Sequence, residues 1–144
     1  MRRVVIKREK CKFVGMLIEY WCIVNFDKDE FMQYFKQRDE CEGEADNGAL
    51  PEINSGKGRL YIDSYDDSGN SIREYLQAFP VNNGKTVEIE IDEQRTTLFI
   101  FTNTSTGAAF SNQVVIPAGF SDLSYSIKTD YSMMGGISLI LRSY

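Results

Sequence analysis

Between Thr86 and Asp92 apolar and charged side chains take turns. Val87, Ile89 and Ile91 alternate with Glu88, Glu90 and Asp92. A strand points successive side chains to opposite faces, so this spacing predicts a strand with one apolar and one charged face. Thr96 to Thr102 differs: Phe99 and Phe101 fall on one face, Leu98 and Ile100 on the other. Two apolar faces suit a strand covered on both sides. Asp92 to Arg95 is polar and short, so the two arms are expected to form a β-hairpin, entered through Asn82-Asn83-Gly84.

The same reading extends along the chain. Arg2 to Arg8 predicts a strand with Val4 and Ile6 on one face and Val5 on the other. Its many cations suggest an edge strand that discourages pairing, in preference to a basic patch for an acidic partner. Phe13 to Phe26 predicts a long strand in which Met16, Ile18, Tyr20, Cys22 and Val24 share a face. Asp27 to Glu40 is the helix candidate, with Asp27 or Asp29 as cap and Phe31, Tyr34 and Phe35 recurring at helical spacing. Residues 39–57 read as a long acidic loop. Arg59 to Tyr65 and Ser71 to Phe79 predict a second hairpin around Asp66-Asp67-Ser68-Gly69-Asn70, with Ile72 and Leu76 turned inward. Ser105 to Ser111 reads as a small-residue loop, Val114 to Ile116 as a short strand. Two last strands carry Leu123, Tyr125, Ile127 and Ile137, Leu139, Leu141, joined by a turn at Met133-Met134-Gly135-Gly136.

About nine short strands, one helix and regular turns predict an all-β fold: a two-sheet antiparallel β-sandwich, jelly-roll or Ig-like, in a single domain over 1–144. The helix and acidic loop, 27–57, form an insertion. The expected core is Ile6, Ile18, Val24, Ile62, Val87, Ile89, Ile91, Phe99, Phe101, Ile127 and Leu139, with the Phe99–Phe101 face against the other sheet.

Composition narrows the chemistry. The net charge is −5. Six carboxylates against Lys57 place that same −5 within residues 39–57, so the remainder is neutral overall. A neutral body has no general pull on nucleic acid or anionic membranes. The apolar run from Phe13 contains Glu19 and Asn25 and is too short to span a bilayer, and no cleavage site follows it; the cytoplasm is the expected location. Cys11, Cys22 and Cys41 lack metal-ligand or redox spacing and read as free thiols. The chain has no histidine, which removes imidazole bases, His-ligated metals and His-dependent triads.

No metal, cofactor or catalytic residue is therefore assigned, and a non-catalytic binding or protein-interaction module is expected. Arg59, Tyr61, Asp63 and Tyr65 should share a face with Arg73 and Tyr75. Aromatic rings among polar groups make a candidate ligand surface, for a glycan above all or for a protein, although a plain solvent face or a subunit contact is built in the same way. Trp21, Phe31, Tyr34 and Phe35 form a candidate partner-binding stripe, but packing is the favoured reading: Trp21 as a partly buried anchor, and the helix laid over one end of a sheet so that its aromatic stripe is buried. A structural protein that self-assembles into a homo-oligomer is the alternative. An enzyme using carboxylates such as Asp63 and Glu74 on glycosides ranks third.

Two pieces resemble a loose group of bacterial proteins without assigned activity. One is V-V-I-K-R-E-K-C-K-F-V-G with the strand through Tyr20 to Asn25; the other is N-N-G-K-T-V-E-I-E-I-D-E. In that group a basic first strand leads through a KF-V-G turn to a second strand, and an N-G-E/K-T hairpin follows. The resemblance implies a small β-sandwich, similar in style to Ig-like or surface-layer accessory domains, and carries over no site residue. This chain departs from it by placing Lys28 to Phe79 between the two pieces, and by Thr96-Thr97 where such hairpins often have a histidine.

Overall fold

The computed structural model describes residues 1–11, 18–40, 51–104, 107–132 and 136–144. In chain order the elements are β1 (Arg2–Arg8), β2 (Tyr20–Val24), α1 (Lys28–Glu40), β3 (Glu52–Gly56), β4 (Arg59–Tyr65), β5 (Ser71–Tyr75) and β6 (Ala78–Val81). There follow β7 (Thr86–Ile91), β8 (Thr96–Thr104), β9 (Gly107–Phe110), β10 (Val114–Ile116), β11 (Leu123–Ser132) and β12 (Gly136–Ser143). The chain is mostly β, with one helix among the described residues. Twelve strands among the described residues replace the roughly nine expected. The added ones are β3, inside the supposed acidic loop; β9, inside the small-residue loop; and β6, which separates from β5. The KF-V-G turn, Cys41 with the acidic residues around it, and the Met133-Met134-Gly135 turn lie outside the described residues.

The strands form three sheets: β12-β11-β1-β7, β10-β8-β2-β6 with β9 also on β8, and β3-β4-β5. All described pairs are antiparallel except β1 with β11, which runs parallel with Ile6 opposite Tyr125. Side chains of the first two sheets meet in one cluster. Val4, Ile6, Ile89, Ile91, Tyr125, Ile127, Leu139 and Leu141 come from one sheet; Tyr20, Cys22, Val24, Val81, Leu98, Ile100 and Ile116 come from the other. Of the expected core, Ile18 and Val87 are only partly buried and pack on the rim of this cluster.

Three expectations need correcting. First, β7 and β8 are not a hairpin. β7 pairs with β1, and β8 pairs with β2, β9 and β10, so Asp92 to Arg95 crosses from one sheet to the other. The two arms differ in what they need: β7 has one apolar face to bury, β8 has two. The crossing is held by Arg2, whose guanidinium donates to the carbonyls of Asp92 (3.1 Å) and Gln94 (2.9 Å). Second, β1 is an interior strand between β7 and β11. Its cations at Arg2 and Arg8 share the parity of Val4 and Ile6 and are buried with them. Third, Leu98 and Ile100 face the other large sheet. Phe99 and Phe101 face away from it, into a second cluster with Trp21, Ile23, Phe31 and Leu60.

Candidate functional site

The second cluster fixes where the third sheet sits. Asp27 caps α1, its carboxylate accepting from the Glu30 N–H at 3.0 Å. This start aims Phe31 at the outer face of β8. Its ring lies 4.9 Å from that of Phe101 and 5.4 Å from that of Phe99, both edge-on. Leu60 of β4 belongs to this cluster, and Ile62, on the same face of the strand, is buried as well, each 3% exposed. One face of β3-β4-β5 is thereby used up in packing, and the opposite face is left to solvent.

The register assembles that outer face. Tyr61 lies opposite Tyr75, and Asp63 opposite Arg73. On the other side of β4, Asn54 lies opposite Tyr61 and Gly56 opposite Arg59. The Tyr61 and Tyr75 rings meet edge to face at 5.6 Å. The Arg59 guanidinium sits 3.8 Å over the Tyr75 ring, and that of Arg73 3.9 Å over Tyr61. Arg73 also grips Asp63 with Nε at 2.8 Å and Nη2 at 3.3 Å. Asn54 Nδ2 donates to the same carboxylate at 3.1 Å. The Arg73 hydrogen bond, helped by that of Asn54, holds Asp63 below its usual pKa, and Asp63 pushes Arg73 up. A Cβ on Gly56 would stand 3.3 Å from the Tyr61 hydroxyl, so glycine leaves the phenol its place.

Five of the six residues proposed from sequence are thus in mutual contact. Tyr65 shares their face, 54% exposed, opposite Ser71, and stands apart from the ladder. Asn54 and Gly56 were missed because E-I-N-S-G has the composition of a loop. The available signal was the parity of Asn54 against the apolar Ile53.

The other proposed surface is turned inward. Trp21 is 5% exposed and Phe31 is fully buried, while Phe35 packs half-buried on the same cluster. Tyr34 is half-buried, and burial, with Glu30 and Glu74 adding, pushes its phenol up. Packing accounts for this stripe because β8 needs cover on its second face. Ile72 is 44% exposed and is not an inward anchor: β5 lies at the sheet edge, beyond reach of the cluster. Asp63 and Glu74 project to opposite faces, since Glu74 opposes Ile62, so they do not form a carboxylate pair. The turn carboxylate Asp66 accepts from the N–H groups of Ser68 and Asn70 at 2.9 and 2.8 Å.

The chain matches no protein-family model, and comparison with curated proteins and with solved structures finds no match. The likeness to bacterial β-sandwich modules therefore rests on the residues quoted for it. Among the described residues no helix is long and apolar enough to cross a membrane.

Proposed function

We propose that the protein is a non-catalytic interaction module, a sandwich of the two larger sheets, which binds another protein through the outer face of β3-β4-β5. The observation that carries this reading is the ladder of Arg59, Tyr75, Tyr61, Arg73 and Asp63 on a solvent-facing sheet. Tyr and Arg are the side chains that most often dominate protein interfaces. Here they hold one another in place before any partner arrives, which reduces the ordering entropy that binding costs. Exposed ion pairs and stacked cations add little to stability, so folding alone gives weak reason for the arrangement. Free Cys11 and Cys22 fit a reducing compartment such as the cytoplasm.

A glycan is the second reading, favoured by the uncovered ring of Tyr65. It ranks lower because a sugar stacking on Tyr61 or Tyr75 would have to displace a guanidinium. The test is quantitative co-purification from the native host with the wild-type chain and with Tyr61→Ala/Arg59→Ala, alongside a glycan array. The expected result is a protein recovered by the wild type and lost by the double variant, with a flat array. Equal recovery by both chains contradicts the reading; array signals abolished by the same variant would replace the protein partner with a glycan.

A further inference from the structure

Sheet edges invite pairing with other chains, and proteins usually guard them. Most described edges here are guarded. β6 carries Pro80, which has no N–H, and β10 is a three-residue strand followed by Pro117. On β12, the Asn112 side chain occupies both the N–H and the carbonyl of Leu141, at 2.9 and 2.8 Å. β7 presents exposed Glu88 and Glu90. β5 is different. Every one of its residues is exposed, and β4 alone pairs with it among the described strands.

The direction of its backbone groups follows from the ladder. Leu76 N–H donates to Leu60 and Asp66 N–H to Asn70. Bonded pairs alternate with unbonded ones in an antiparallel ladder. Ile72 and Glu74 therefore bond to β4, and Ser71, Arg73 and Tyr75 turn their N–H and C=O groups outward.

We propose that two copies of this chain join edge to edge through β5, antiparallel, with Ile72 facing Ile72 of the second copy across a two-fold axis. A second copy is the occupant that the sequence of the strand selects. An axis normal to the sheet keeps like faces together, so outward-bonding residues must oppose one another. Substantial overlap then requires the axis at Arg73, at Glu74 or at Ile72. The first sets Arg73 against itself and the second sets Glu74 against itself, and directly opposed like charges are destabilising. The third opposes Arg73 to Ser71, which exchange both backbone bonds. It also places Ile72 in the unbonded position, where side chains across a ladder come closest. The exposed isoleucine gains apolar cover, and Arg73 keeps its carboxylate partner Asp63. Two three-stranded sheets become one continuous sheet. The contact is smaller than the ~1,600 Å² of a standard interface, so the dimer is concentration-dependent. The inference rests on backbone edge groups and is independent of the ring face argued above.

Sedimentation velocity over a roughly 100-fold concentration range reads the dimer directly. The expected result is a mass rising from 16.5 kDa towards twice that value, and Arg73→Pro should hold it at one chain. The fold should survive that change, because the lost N–H points to solvent and proline is tolerated at such edge positions. Register is read by oxidation in a Cys11→Ser/Cys41→Ser background. Ile72→Cys should cross-link to a covalent dimer, since opposed unbonded residues lie about 4.5 Å apart at Cα, within disulfide reach. Glu74→Cys should not. A strict monomer overturns the proposal and leaves the edge to a segment of another protein. Equal cross-linking by the two cysteine variants, or a dimer undisturbed by Arg73→Pro, overturns it as well.

Discussion

At the scale of single residues, charge is placed where backbone groups need it. Arg2 is 3% exposed and ends on the carbonyls of the β7–β8 crossing. Arg8, fully buried, donates to the carbonyls of Ile18 and Val81 and lies 3.5 Å over the Tyr20 ring. Both were legible as strand residues but not as interior ones, because a cation in an apolar row reads as surface until a partner from a distant segment is known. Exposed pairs set the pH response. The Met1 ammonium and Glu93 carboxylate, 2.9 Å apart, raise the amine from its usual 8.0 and lower the carboxyl from 4.5. Arg73 lowers Asp63, and the Asn70 N–H lowers Asp66, each from 3.8. A depressed carboxyl adds stability above its unfolded pKa and loses it as pH falls through the folded one; a raised amine adds stability below 8.0 and loses it as pH rises through its folded value. The urea midpoint should therefore be flat between about pH 5 and pH 8 and decline modestly on either side. A midpoint that climbs as pH drops below about 4 would contradict these assignments.

Elements were legible where alternation was long and the two faces differed, and obscured where composition imitated a loop. β7, β8 and α1 appear close to their expected bounds, Asp27 cap included, while β11 begins at the expected Leu123 and runs on past Ile127 to Ser132. β3 (E-I-N-S-G) and β9 (G-A-A-F) are rich in Asn, Ser, Gly and Ala, and are strands because β4 and β8 offer ladders to them. Pairing escaped the sequence for a related reason. The Asp92–Arg95 connection suits a hairpin equally well, and only the burial demand of β8 on both faces sends it across. That demand makes Phe31 the link between helix and sheet. Phe31→Ala should cost about 3–5 kcal/mol by urea unfolding, the loss typical of a buried ring. A loss below about 1 kcal/mol would show that α1 does not close the second cluster.

For the whole molecule, two apolar clusters lie on opposite sides of β2 and β8, and the third sheet is attached through the second. Sequence parity placed Tyr61, Tyr75, Asp63, Arg59 and Arg73 on one face, because a hairpin with a well-marked turn fixes its own register. For Trp21 and Phe31 it favoured packing over partner binding, and both are buried where helix and sheet meet. The proposed function requires the tyrosine–arginine face to be dispensable for folding, which the clusters beneath it support. The most direct measurement is the unfolding free energy of Tyr75→Ala. An exposed stacked cation contributes about 0.5–1 kcal/mol and an edge-to-face ring contact about 0.5–1.5 kcal/mol, so the expected loss is no more than about 2.5 kcal/mol with the far-ultraviolet spectrum unchanged. A loss as large as that of Phe31→Ala would make Tyr75 a structural residue and contradict the account.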